Sequence, residues 1–191
     1  MTRNIVIDET NIEDVIKAFE YLLQNIEKYA TESEEKIIKE SKNYLDKQYS
    51  KRLKDDNISD ISTRYEKIDD GYKLIAEGPD VIYEEFGTGD KGQDSPHPDK
   101  SKYNLDDYNS GITIRSVNKL SPEKKEEHGL TSGKYWTYKK DESGEVKYTQ
   151  GVPAGKEMWN TRNYMINTII PKANKELGAK LCEEFERSIK K

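Results

Sequence analysis

Cysteine is almost missing from this chain: Cys182 stands alone among 191 residues, which excludes an intrachain disulfide and any cysteine-rich metal cluster. Its neighbours have the pattern of a long helix, so a buried or semi-buried thiol is expected there. Histidine is nearly as scarce, with only His97 and His128, and neither lies in an HExxH pattern. No segment approaches the roughly 20 apolar residues needed to cross a bilayer, and no apolar stretch follows a basic start. The chain is therefore expected to be soluble, made in the cytosol and free of membrane contact. A concentrated basic block is also lacking. Lys and Arg number 32 against 37 Asp and Glu, a formal charge of −5, and the two signs are interspersed. Binding to nucleic acid chiefly through phosphates would call for positive charge gathered on one face. KQYSKRLK, from Lys47 to Lys54, comes closest, but it runs into Asp55 and Asp56.

Apolar residues make up 32% of the chain and charged residues 36%, and the aromatic content rests on 13 Tyr against 3 Phe. Tyrosine packs a ring while keeping its hydroxyl hydrated, which suits a thin core or a wet protein interface. The length fits one domain.

Along the chain, Asn4 to Asp8 offers an edge strand. Thr10 precedes Glu13 at the spacing of a capping box. Ile12, Val15, Ile16, Phe19, Leu22, Leu23 and Ile26 then form an apolar stripe that must lie against a sheet or another chain. Thr31 and Glu34 repeat the cap spacing ahead of Ile37, Ile38, Tyr44 and Leu45, either as a second helix or as a bent continuation. Residues 1–57 are read as the helical N-terminal region, and 61–150 as sheet with a long loop at 87–109. Within the sheet region, Asp69-Asp70-Gly71 marks a hairpin turn, and Val81 to Phe86 fits a strand or a single helical turn. Ile112 and Ile114 read as a short strand, and Ser121-Pro122-Glu123 as a capped helical turn closed by Gly129. A second hairpin sets Trp136 and Tyr138 against Val146 and Tyr148 across a turn at Asp141 to Gly144, and should supply the central sheet. Residues 151–191 form a C-terminal helix with Ile166, Ile169, Ala173, Leu177, Leu181 and Phe185 along one stripe, bent or broken at Pro171. The expected fold is a single α+β domain, an antiparallel sheet covered by the N-terminal helix region and the long C-terminal helix.

The run IYEEFGTGDKGQDSPH, Ile82 to His97, invites a catalytic reading that its spacing does not support. A phosphate loop needs Gly-Lys-Ser or Gly-Lys-Thr after a longer glycine-rich curve, whereas Lys91 is followed by Gly92 and Gln93. Glu84 and Glu85 would point to opposite faces of a strand. A metal site would require the loop to fold His97 back onto Glu85 or Asp90, and both histidines read better as surface or turn residues. No nucleophile elbow is present. Trp136, Tyr138, Tyr148, Met158 and Trp159 are suited to subunit contacts or to the domain's own core.

The order of these segments resembles the HK97 gp10-like family of tailed-phage head–tail joining and tail-completion proteins, from about Ile61 to Leu181. Val81 to Thr88 loosely follows the family form Y-x-x-x-x-E-F-G-T, a Pro-His pair and a W-x-Y hairpin come next, and Gly151, Pro153, Ala154 and Met158 match a G-x-x-A/P-x-x-F-M element. The family stretch P-x-D-T-G-x-L-R has no counterpart in LKDDNISDISTRYEK, and Lys156 and Glu157 stand where an aromatic or Arg is usual. The resemblance implies a small virion protein of the neck or tail-completion type, without catalytic residues, metal or cofactor. It would assemble in the host bacterial cytoplasm as a homo-oligomer, a ring, against connector, tail-terminator or tail-tube proteins, with DNA passing through unbound. Interface candidates on this view are Phe86, Gly87, Thr88, Gly89, His97, Trp136, Tyr138, Pro153, Met158 and Trp159. The alternatives are a metal-dependent hydrolase or nuclease using His97 and nearby acids, and a host-directed or regulatory protein-binding module.

Overall fold

The computed structural model describes residues 12–56, 61–78, 81–94, 96–102, 115–139 and 146–189. The Asn4 to Asp8 strand, the Thr10 cap, the Ile112 and Ile114 strand, the Asp141 to Gly144 turn and the part of the long loop from 103 onward lie outside them. The fold is α+β, and its strands form two small sheets rather than one central sheet. The chain divides into two compact units. One comprises Met1–Gln48, Thr63–Ile75 and Thr161–Lys191, the other Tyr49–Ser62 and Ala76–Asn160.

The first element, α1, is one helix from Ile12 to Asp56, 45 residues long. It contains no Gly or Pro, and Glu13 and Asp14 in its first turn complement the positive end of the helix dipole. Thr31 and Glu34 start no new helix, because nothing in the sequence there interrupts the backbone ladder. Strands β1 (Ser62–Ile68) and β2 (Gly71–Glu77) pair across Asp69 and Asp70, with Gly71 at φ 131°. The Tyr65 and Tyr72 rings pack edge-on with centroids 6.1 Å apart, and the Thr63 hydroxyl donates to Asp46 of α1.

Two short helices follow, α2 (Val81–Phe86) and α3 (Gly89–Asp94), and then a 3₁₀ turn at Lys100–Lys102. The strand reading of Val81 to Phe86 therefore gives way to the helical one. The described part of the 87–109 loop is largely structured. Strand β3 (Arg115–Ser116), helix α4 (Pro122–Glu127), β4 (Lys134–Lys139) and β5 (Val146–Thr149) complete the middle of the chain. At α4 the Ser121 hydroxyl accepts from the Lys124 amide at 3.4 Å and Pro122 occupies the first turn, the expected cap. The three-stranded sheet has the order β3-β4-β5. Its register pairs Trp136 with Thr149 and Tyr138 with Lys147, while Thr137 faces Tyr148 and Lys139 faces Val146. Trp136 and Tyr138 are thus not the cross-strand partners of Tyr148 and Val146, because the pairing is one residue out of the expected step and a one-residue step changes faces. Tyr135 is buried, stacked on Tyr148 at 5.6 Å within a cluster that includes Val117 and Leu130.

The last helical stretch is α5 (Glu157–Tyr164), a π-helical turn at Met165–Ile169 and α6 (Ile170–Ile189). Pro171 neither ends nor breaks it. The wider turn lies directly before the proline, where an ordinary helix would have required the amide that proline lacks. Cys182 is exposed, since it falls off the stripe of Leu177, Leu181 and Phe185.

In the first unit α1 and the final helices lie side by side and antiparallel. Phe19 meets Phe185 with ring centroids 4.7 Å apart, and Tyr44 stacks on Tyr164 at 4.2 Å. Between these ends Glu32 pairs with Lys180 at 2.7 Å, Lys36 with Glu176, and Glu40 with Lys172 at 3.5 Å. The signs alternate along both helices. A four-residue slip would set Glu32 against Glu176 and Lys36 against Lys172, so the ladder selects the register even though each exposed pair adds little stability. Ala18, Ile38, Ser41, Leu45, Ile169 and Ala173 are buried in this unit.

Candidate functional site

A shallow groove of about 210 Å³ on the helical unit is lined by Tyr29, Glu32, Lys36, Glu176 and Lys180 among others. Its charged groups are engaged with one another as the ion pairs above. A buried polar arrangement lies in the second unit, where the segments around EFGTG and GVPAGKEMW meet.

Its centre is Glu85, a carboxylate only 6% exposed on α2. Its Oε2 accepts from the Met158 amide at 2.8 Å, and its Oε1 accepts from the Trp159 amide at 2.9 Å. These amides belong to the first turn of α5, whose donors have no partner inside the helix. The residue before that helix is Lys156, which has no side-chain acceptor and sits at φ 63°. The cap is therefore supplied by a carboxylate 73 residues earlier than Met158, and the positive end of α5 favours its negative charge. The adjacent Glu84 is also buried, and its carbonyl accepts from the Gly155 amide at 2.6 Å. Both glutamates thus turn inward because they stand on a helix; the opposite-face expectation assumed a strand.

His97 closes the arrangement. It is 5% exposed, not the surface or turn residue expected. Its Nδ1 accepts from the Asp99 amide at 3.0 Å, which places the proton on Nε2, and that N–H donates to Glu85 Oε1 at 3.0 Å. Its ring lies 4.6 Å from Phe86 and 6.4 Å from Trp159, centroid to centroid. The His97–Glu85 pairing that a metal-dependent hydrolase would need does form. Both imidazole nitrogens are nevertheless engaged, and both carboxylate oxygens are accepting. Among the described residues no group of three or more His, Cys, Asp or Glu is placed to hold a metal ion. Asp90 has a different partner, the Lys134 amide, at 2.7 Å.

Backbone bonds extend the contact. The Thr88 amide donates to the Val152 carbonyl at 2.8 Å, and the Val152 amide donates to the Thr88 hydroxyl at 3.0 Å. Gly87 has φ 65°, and a Cβ there would come within 2.5 Å of the Ala154 nitrogen. Only glycine allows so close an approach in that conformation.

Of the residues expected at an interface, Phe86, Gly87 and His97 are buried inside this unit, where they hold its segments together. Thr88, Gly89, Met158 and Trp159 are half-buried in the same place, and Pro153 is exposed beside it. Trp136 and Tyr138 stand on β4. Sequence reasoning missed the capping role of Glu85. The available signal was the lack of any Ser, Thr, Asp or Asn cap ahead of Glu157 in GVPAGKEMW.

No described helix is long and apolar enough to cross a membrane. Comparison with known protein families, curated proteins and solved structures returned no match to this chain.

Proposed function

We propose that this chain is a non-enzymatic structural protein of a tailed-phage virion, of the neck or tail-completion type. It assembles as a homo-oligomeric ring at the head–tail junction or the upper end of the tail. The observation that carries this reading is the clamp at Glu85. Two of the segments that carry the family resemblance, 81–88 and 151–158, are remote in sequence yet share, with Trp159, one buried hydrogen-bonded knot. A group whose donors and acceptors are matched internally stiffens a subunit and offers no poised proton acceptor. Its ring would contact connector, tail-terminator or tail-tube proteins and let DNA pass without holding it, in keeping with the acidic balance of the chain. Assembly in the host bacterial cytoplasm would precede incorporation into the particle.

Native mass spectrometry of the purified chain across concentrations, paired with protein identification in tailed particles made from the same genome, tests this. A defined oligomer and presence in particles are expected. A monomer at every concentration together with particles lacking the chain would sink the proposal.

A further inference from the structure

The N-terminal part of α1 carries an apolar stripe that the other described residues leave largely exposed. Ile12, Ile16, Phe19, Leu23 and Ile26 follow at steps of four, three, four and three residues, the seam spacing of a coiled coil. All five are exposed, Leu23 at 71%. Over the same turns Val15, Ala18 and Tyr29 are buried, so this helix has a second apolar face already in use. Phe19 is the stripe residue that also meets α6, through the ring of Phe185.

The charges beside the stripe narrow what can cover it. Glu13, Glu20 and Glu27 each follow a stripe residue at seven-residue intervals, and all are exposed. The opposite flanking positions, Val15, Leu22 and Tyr29, are buried or half-buried. The free edge is therefore acidic. Antiparallel pairing of two such stripes from two copies would set glutamate against glutamate, and an anionic membrane surface would repel the same edge. We propose that the stripe docks an amphipathic helix of a different protein whose apolar seam is edged by Lys or Arg. This does not depend on the virion reading.

The test uses the full chain and two fluorescent three-heptad peptides with Ile and Leu on the seam, one flanked by Lys and one by Glu. The Lys-flanked peptide is expected to bind, at least about tenfold more tightly than its Glu-flanked counterpart and with strong salt sensitivity. Reversal of Glu13→Lys, Glu20→Lys and Glu27→Lys together should invert the preference. Leu23→Ser should abolish binding while circular dichroism stays unchanged, since the side chain is exposed. The proposal is overturned by equal binding of the two peptides or by binding of neither. It is equally overturned if sedimentation shows pairing of copies that Leu23→Ser abolishes, or if the Lys-flanked peptide binds only after residues 1–11 are removed.

Discussion

In the helical unit Glu32, Lys36 and Glu40 meet Lys180, Glu176 and Lys172 half in water, whereas in the second unit Glu85 meets His97 and two backbone amides away from it. The residue type is the same and its task is not. Exposed pairs are screened and individually weak, so their value lies in which alignment they forbid. A buried carboxylate has no water to fall back on, so every donor aimed at it matters. The helical unit should therefore tolerate single charge changes that the second unit cannot.

The largest effect is expected from Glu85→Ala, which strands His97 Nε2–H and the Met158 and Trp159 amides. It should destabilise the second unit by about 3–5 kcal/mol in chemical denaturation. Glu85→Gln is no rescue, because whichever way its amide turns, its NH₂ faces a donor. A loss below about 1 kcal/mol for Glu85→Ala would contradict the clamp. Next comes Gly87→Ala, where a left-handed backbone and the approach to Ala154 act together; a cost of about 2–4 kcal/mol is expected on the same measurement. Lys156→Gly should act in the other direction. Relief of the left-handed conformation outweighs the added chain entropy, and a gain of about 0.5–1 kcal/mol is expected in thermal denaturation.

The helical unit should respond more to pH than to any single change at its exposed charges. A hydrogen bond from Lys180 holds the Glu32 carboxyl below its ordinary value of 4.5, and one from Lys36 does the same for Glu176. The stability they contribute is present above 4.5 and is lost as pH falls through the lowered values. Glu176 in turn raises the Lys36 ammonium above its ordinary 10.5, so that contribution is complete below 10.5 and lost as pH rises through the raised value. Pairing of α1 with the final helices, followed by a distance label pair spanning them, should loosen at both extremes. Indifference to both would show that apolar contacts alone set the pairing. The smallest effect is expected from Glu32→Lys, with the double change Glu32→Lys and Lys180→Glu restoring the wild-type transition in a mutant cycle.

Much of the architecture was legible locally. The long apolar periodicity from Ile12, the Asp-Asp-Gly turn, the Ser121-Pro122 cap and the strands around Trp136 and Val146 all appear where their sequence signals stand, because each depends on neighbours within a few residues. The readings left open, and those overturned, needed more than a short local pattern. Thr31 carries a cap signal inside a stretch with nothing to stop a helix, so the ladder runs through it. Val81 to Phe86 has too short a pattern to separate strand from helix, and the faces assigned to Glu84 and Glu85 failed with it. His97 looked like a loop residue because its partners, Glu85 and the ring of Trp159, come from elsewhere in the chain.

Periodicity and turn chemistry are written in adjacent residues, so an α+β chain with long amphipathic helices at both ends and short antiparallel strands between could be read without any packing. Packing alone brings EFGTG and GVPAGKEMW together, sets a distant glutamate at the cap of α5 and leaves one apolar stripe of α1 exposed among the described residues. Burial and hydrogen-bond partnership across the chain are properties of packing, and no local pattern contains them.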